Sequence, residues 1–207
     1  MSVDGKLALP SKKPVKLSSL EDFKRVHELR NFYDGVLVGI NTILIDDPKL
    51  TVKPEFVPEP KNPVRIVLDS NGRTPSDAAV LDGSAQTYIA VGKGSESRIA
   101  PNKNIELIPC SLDDDNFIDL KELLVKLRHM GIDNLLVEGG ETVIYNFLKN
   151  QFVDELYIYV SNVIIGGTSS PTLAGGSGAG SENEIINLKL LSCDRMGDGI
   201  LLKYLPI

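Results

Sequence analysis

The sequence predicts an α/β protein: a mostly parallel, doubly wound sheet followed by a C-terminal antiparallel hairpin. Three observations carry this. Short apolar runs at residues 36–38, 64–68, 87–91, 105–108, 134–137 and 155–160 have the length of single buried strands. Helical patterns recur between them, and alternation of this kind implies parallel strands. Residues 185–193 and 199–205 then face each other across Arg195-Met-Gly-Asp198, which reads as an antiparallel pair at one edge of the sheet.

The elements follow in order. Ser2-Val-Asp-Gly-Lys6 reads as a turn, and residues 10–16 as a Pro/Lys-rich loop. Ser18-Ser-Leu-Glu21 has the form of a capping box and opens a helix to about Arg30, with Leu20, Phe23, Val26 and Leu29 as its apolar stripe. His27 falls beside that stripe and reads as packed or solvent-facing. The run Val36-Leu37-Val38 leads into Gly39, and Asn41 and Thr42 are residue types that cap a short helix. Asp46-Asp47-Pro48 ends that helix, because the residue before a proline is driven out of the α region. Leu50-Thr51-Val52 reads as extended, and residues 54–63 as a loop.

After the strand at 64–68, Asp69-Ser-Asn-Gly72 is a turn. Asp119-Leu-Lys-Glu122 is a second capping box, opening a helix with Leu120, Leu123, Leu124 and Leu127 inward and Gly131 at its end. The strand at 134–137 runs into Glu138-Gly-Gly-Glu-Thr142, and the next helix carries Val143, Ile144, Phe147 and Leu148. Residues 163–165 extend the pairing of the strand at 155–160 beyond a kink. The glycine-rich segments at 166–167 and 174–180 are loops, and with no linker or repeat the 207 residues read as one domain.

Composition narrows the function. A net charge of −6 argues against nucleic acid as a partner, yet leaves room for a phosphorylated small molecule held by two or three cations. Cys110 and Cys193 form no metal or redox motif, so a cytoplasmic protein with two reduced thiols and no metal is expected. No apolar run has the length of a membrane span. Two stretches point to ligands. A strand entering Gly39 and a helix start, and a strand entering Glu138-Gly139-Gly140, are places where backbone N–H groups meet anions. The second is neither a Rossmann fingerprint nor a Walker loop, and a plain strand-to-helix turn accounts for it equally well. Asp69-Ser-Asn-Gly72 with Arg73 suits an adenosine ribose or its 2′-phosphate, or is an ordinary Asx turn.

Six segments together resemble a known family: Ser2-Val-Asp-Gly-Lys6, Leu29-Arg30, Gly35 through Lys53, Pro63 through Ser70, Val137-Glu-Gly-Gly140 and Ile165-Gly-Gly167. The chain resembles the archaeal and fungal 2,5-diamino-6-ribosylamino-4(3H)-pyrimidinone 5′-phosphate reductases of riboflavin biosynthesis, and the reductase domain of the bacterial bifunctional deaminase–reductase. That resemblance implies a dihydrofolate-reductase-like fold, NADPH (or NADH) as hydride donor, and a small phosphorylated pyrimidine as acceptor. It also implies a homodimer, and it marks one departure: relatives carry an N-terminal edge strand ahead of the position of Met1 that is expected to be missing here. Matching positions imply cofactor contacts from Thr42, Asp46, Asp69, Ser70, Asn71, Gly72, Gly139, Gly140, Glu141 and Thr142. Substrate contacts fall to Arg30, Leu50, Lys53 and Glu138, with Arg30 and Lys53 on the phosphate. Asp4 and Glu138 are the expected catalytic carboxylates. Lys53 stands where some relatives carry Arg, so a fork becomes a point charge. Two other readings stay open: reduction of a pterin-like or other heterocycle, and a non-catalytic nucleotide-binding partner subunit.

Overall fold

The computed structural model describes residues 1–11, 13, 15–95, 100 and 102–207. The loop expected at 10–16 includes Lys12 and Pro14, which lie outside the described residues. The chain divides into two units, Met1–Arg25 with Gly140–Ile207, and Val26–Gly139. Helix α1 (Leu20–Phe32) runs across the boundary.

The second unit holds the parallel sheet. Its strands are β1 (Gly35–Gly39), β2 (Val64–Leu68), β3 (Thr87–Gly92), β4 (Ile105–Cys110) and β5 (Leu135–Gly139), in the spatial order β4-β3-β2-β1-β5. Helix α2 (Ile40–Asp46) follows β1, and α3 (Leu120–His129) carries the chain from β4 to the opposite edge at β5. The strands are β-branched and buried: Val36, Leu37, Ile66, Val67, Ile89 and Val91 are almost wholly enclosed. Alternate residues Val36, Val38, Val67, Ile89 and Val91 build one core with Ile40 and Ile43 of α2, Val80 and Leu50. Each such side chain contributes roughly 1.5–3 kcal/mol by leaving water. Gly35 is required by the packing, since a Cβ there would lie 2.7 Å from Ile66 Cδ1 and 3.2 Å from Ile132 and Leu135.

The first unit holds a three-stranded antiparallel sheet, β6-β8-β7, formed by β6 (Leu156–Val160), β7 (Leu188–Met196) and β8 (Gly199–Pro206). Its helix, α4 (Glu141–Lys149), buries Tyr145, Phe147 and Leu148. The hairpin is present, but it closes on β6 in a sheet of its own instead of extending the parallel one. Its turn is also tighter than expected. Arg195 and Met196 belong to β7, and only Gly197-Asp198 connect Met196 to Gly199, a two-residue loop in which Gly197 takes φ 55°. Residues 163–165 form no strand; Val163 instead accepts a hydrogen bond from the Val3 N–H.

Three local expectations are corrected. The cap of α1 is Ser19, whose hydroxyl accepts from the Asp22 N–H, one residue later than the motif suggested. The apolar stripe on α1 is not its buried face: Leu20 is 70% and Phe23 40% exposed, while Asp22 and His27 are buried. Asp22 can go inside because Arg25 forks onto its Oδ1 at 2.7 and 3.0 Å. Asn41 and Thr42 do not cap α2; Gly39 occupies the cap position and they lie in the first turn. Asp119 does cap α3 as expected, accepting from the Glu122 N–H at 2.9 Å. Among the described residues, no helix is long and apolar enough to cross a membrane.

Candidate active site

In the parallel sheet, β2, β3 and β4 extend to one side of β1 and β5 lies on the other. The strand order therefore reverses between β1 and β5, and the carboxyl ends of strands at such a reversal are where open α/β sheets take ligands. Those ends are Gly39 and Gly139.

The pairing here is irregular. Leu37 pairs with Val137, but Val38 pairs with Gly139, so Glu138 is one residue too many. Such a bulge re-aims its side chain and increases the local twist. Gly139 absorbs the distortion at φ 111°, a region closed to other residues in practice. The Glu138 carboxylate meets Arg30 in the last turn of α1, with Oε1 and Oε2 accepting from Nε and Nη2, each at 2.7 Å. The remaining nitrogen, Nη1, donates to the Thr51 carbonyl at 3.3 Å. Burial works against the Arg30 charge, but hydrogen bonds and attraction from Glu138 outweigh it and raise the guanidinium above its ordinary value. Both side chains keep a small exposed fraction, 15% and 19%.

The chain between α2 and Lys53 runs along the same unit. Thr42 lies within α2, and Asp46 is its exposed last residue, whose carboxyl partial desolvation pushes up. Asp47 ends the helix in the left-handed region at φ 41°, and its Oδ1 accepts from the Ala79 N–H at 2.7 Å. Leu50 is also left-handed, at φ 53°, which is strained for a bulky side chain. Its side chain is held by the core, being only 2% exposed. Asn62 fixes the chain two residues on, accepting from the Val52 N–H at 2.9 Å. The Lys53 ammonium is half exposed and lies 3.7 Å from Glu55.

His27 belongs to this group, which sequence reasoning missed. Its Nδ1 accepts from the Lys53 N–H at 3.3 Å, and its ring stacks on Phe56 at 5.0 Å. Burial, then the charges of Arg30 and Lys53, push its pKa down against the pull of Glu138 and Glu55. The signal available was His27 at three residues from Arg30 on one helix, the spacing of neighbours on a helix face.

At the carboxyl end of β2 the expected turn is present, closed by the Gly72 N–H on the Asp69 carbonyl. Asp69 is fully buried. Its Oδ2 accepts from the Thr74 N–H and hydroxyl, both at 2.7 Å, and Oδ1 has no partner among the described residues. Ser70 and Gly72 are partly buried, and Asn71 and Arg73 exposed. Arg73 reaches Asn41 Oδ1 at 3.4 Å. The Ser70 carbonyl accepts from Gly92, where a Cβ would come within 2.8 Å of it.

The other expected residues lie in the first unit. Gly140 caps α4, and Glu141 and Thr142 open it. The Glu141 Oε2 accepts from the Thr172 N–H at 2.9 Å and its carbonyl from Gly175, so this acid anchors the glycine-rich loop. Asp4 is committed too. Oδ1 accepts from the Ser2 hydroxyl at 2.6 Å and the Ile165 N–H at 3.1 Å, and Oδ2 from the Gly166 N–H at 2.7 Å. The Ser2 hydroxyl and these backbone donors outweigh slight desolvation and hold the carboxyl down at about 2. Because its folded value is depressed, Asp4 contributes stability above about pH 4 that is lost as pH falls toward 2. Thermal melts should therefore place Asp4→Asn below the parent at pH 5–7, with the two converging toward pH 2; parallel curves would remove Asp4 from this role.

A family model described as the RibD C-terminal domain matches residues 1–202. The chain belongs to the RibD C-terminal domain family. It is 37% identical over 206 residues to the 2,5-diamino-6-ribosylamino-4(3H)-pyrimidinone 5′-phosphate reductase of Methanothermobacter thermautotrophicus, covering 99% of this chain and 94% of that one. Its identity to the protein of the same name from Archaeoglobus fulgidus is 35% over 209 residues, covering 96% and 91%. Among solved structures, a deaminase/reductase from Thermotoga maritima superposes with a TM-score of 0.81 at 28% identity, covering all of this chain and 54% of that one. The chain thus spans about half the length of that two-activity protein. The family resemblance carried by the six sequence segments is borne out, as is the dihydrofolate-reductase-like α/β class that RibD C-terminal domains share.

Proposed function

We propose that this protein reduces the ribosylamino side chain of a pyrimidine 5′-phosphate to the ribitylamino form, using NADPH, in riboflavin biosynthesis. The observation that carries this reading is the bulge at Glu138. It presents a carboxylate beside Gly139 at the strand-order reversal, in a chain whose full-length relatives are named as reductases of such a substrate.

When bound, the reduced nicotinamide supplies hydride to C1′ of the opened sugar. The chain orients and neutralises. Glu138 accepts hydrogen bonds from the reacting ribosylamino group and faces the positive charge of its imine form. Leu50, its side chain held in the core, offers the substrate its backbone edge, and Lys53 offers an ammonium to the phosphate. Thr42 and Asp46 contact the cofactor from α2, with Gly139 giving close backbone approach.

The turn after β2 suits the adenosine end. Asp69 is turned inward onto Thr74, whereas Arg73 is turned outward beside Asn41. An inward acid and an outward guanidinium favour a ribose bearing a 2′-phosphate over one bearing a free hydroxyl. Arg73→Gln should weaken NADPH binding about tenfold while leaving NADH unchanged, as read by fluorescence titration of both nucleotides. An equal loss for both would assign Arg73 to folding alone.

The deciding experiment is the loss of reduced-nicotinamide absorbance on adding the deaminated or the non-deaminated ribosylaminopyrimidine phosphate. Turnover of either supports the reading. Turnover of dihydrofolate instead would favour a pterin-like substrate, and binding of NADPH without any turnover would favour a partner subunit. We also propose a homodimer. Leu188, Leu190 and Leu191 of β7 and Ile200 and Leu205 of β8 are exposed, an apolar display that a second copy would cover.

A further inference from the structure

We infer that Asp47 is a positioning residue for hydride transfer, holding the corner between the cofactor end and the substrate end of one short stretch. This rests on the reductase reading above, in which Thr42 and Asp46 meet the cofactor while Leu50 and Lys53 meet the substrate. Asp47 contacts neither reactant in that reading; it keeps the two pairs in a fixed relation.

The backbone shows that this corner must be held. Asp47 at φ 41° and Leu50 at φ 53° are both left-handed, although neither is glycine. Conformations of this kind persist only where the surroundings over-determine them, and they gather at functional sites. The corner has few ties of its own. The Asp47 N–H closes α2 on the Ile43 carbonyl, and Pro48 has no N–H to donate. Other ties come from outside. Leu50 is anchored by its side chain in the core. The Lys49 carbonyl accepts from Arg65 Nη1 at 3.4 Å, while that nitrogen reaches Asp82 more closely, at 2.9 Å. The short tie is Asp47 Oδ1, which accepts from the Ala79 N–H at 2.7 Å.

The donor of that bond is firmly placed. Ala79 opens the short 3₁₀ turn Ala79–Leu81, whose Val80 is fully buried and whose Leu81 packs against the same core. The Val80 carbonyl accepts from the Thr87 hydroxyl of β3 at 2.8 Å. Asp47 thus ties the end of α2 to a piece of chain fixed on the parallel sheet. Thr42 and Asp46 precede this point, and Leu50 and Lys53 follow it. A shift of the corner therefore moves hydride donor and acceptor relative to each other without deleting a contact to either. Misplacement by about 1 Å can cost on the order of 10²-fold in rate.

The test uses Asp47→Gly, Asp47→Asn and Ala79→Pro, assayed with NADPH and the ribosylaminopyrimidine phosphate. Glycine adopts the left-handed backbone more readily than aspartate but offers no acceptor. Asparagine tolerates that backbone and keeps Oδ1. Proline at position 79 deletes the donor at the first residue of a helical turn, where its ring is tolerated, and Ala78 already has the extended backbone that proline asks of its predecessor, at φ −57° and ψ 136°. A positioning role predicts that Asp47→Gly and Ala79→Pro each lower kcat about 10–100-fold, with KM and NADPH affinity within about threefold of the parent. Combined, they should cost no more than either alone, the non-additivity of two partners in one bond. Asp47→Asn should recover most of kcat. With NADPH deuterated at the transferred position, the isotope effect on kcat should rise in the two impaired variants, because a misaligned hydride step becomes limiting. Parental kcat in Asp47→Gly would overturn the inference and leave Asp47 suited to its place by backbone alone. So would a rise in KM or a loss of NADPH affinity of about tenfold with kcat retained, which would make Asp47 a direct ligand contact. If Asp47→Gly fails to fold, Ala79→Pro carries the same comparison from the other partner. A parent that turns over neither the deaminated nor the non-deaminated substrate would defeat the reductase reading and this inference with it, whereas parental kcat in both variants defeats the inference alone.

Discussion

Glu138→Gln is expected to lower kcat by about 10²–10³-fold, equivalent to roughly 3–4 kcal/mol of lost transition-state stabilisation, with NADPH affinity held within about twofold. The side chain keeps its length and one acceptor oxygen, so packing in the bulge is conserved and the change is one of charge. A fixed carboxylate in a partly desolvated site is worth more than one in water, because little solvent remains to screen it. Arg30 would be left facing a neutral amide, which adds a modest loss of stability. Steady-state kinetics and nucleotide titration on the same preparation separate the two effects. Activity within threefold of the parent would remove Glu138 from the reaction and leave the bulge without a chemical role.

The largest effect on stability is expected from Asp82→Ala. Arg65 in β2 is fully buried, an uncommon place for a guanidinium. It is accommodated because every direction has an acceptor. Nη1 reaches Asp82 Oδ1 at 2.9 Å, Nη2 the Ala85 carbonyl at 2.7 Å and Nε the Thr87 hydroxyl at 3.0 Å. Only Asp82 carries the opposite charge in this set. Removing it strands a buried cation, at a cost of about 3 kcal/mol. The pH dependence has a definite sign. Burial raises the Asp82 carboxyl, but the Ser84 hydroxyl and N–H and the Arg65 guanidinium outweigh this and hold it well below the ordinary carboxylate range. The contribution is therefore present above the unfolded-state value near pH 4 and is lost as the medium is acidified through the folded one. Urea unfolding of parent and variant at pH 7 and pH 3 should show the gap shrinking on acidification. A constant gap would mean that Asp82 acts through packing.

The elements legible in the sequence were those whose burial is apolar and whose signals are local. Val36-Leu37-Val38 and Val64 through Leu68 are strands in any context that hides them, and Asp119 caps α3 because its carboxylate needs only the N–H three residues on. The face of α1 differs from the apolar stripe because its buried residues Asp22 and His27 are polar: Asp22 is neutralised locally by Arg25, and the His27 partner, the Lys53 N–H, is set by folding. Gly39 replaced Asn41 and Thr42 as the cap of α2 because a strand that turns directly into a helix leaves its own last residue at that position. The candidate site divides in the same way. The motif Glu138-Gly139-Gly140 was visible, but a bulge is a property of two strands in register, and no single segment encodes it. Likewise Asp4 and Arg30 could be singled out as charges, whereas the Ile165 and Gly166 amides and the Glu138 carboxylate that occupy them come from more than 100 residues away.

The bulge in β5 also bears on how this protein could change over time. Between Leu135 and Val137 the strand matches β1 residue for residue, and after Glu138 it matches again at Gly139. Deleting Leu136 or Val137 would restore an unbroken ladder, yet the Glu138 carboxylate would inherit a direction dictated by the pleat. Apolar exchanges at Leu135, Leu136 or Val137 alter packing without altering that direction. Drift can therefore rewrite the composition of this strand far more freely than its length, and a chain that lost one residue here would persist as a sound fold with its acid pointed elsewhere.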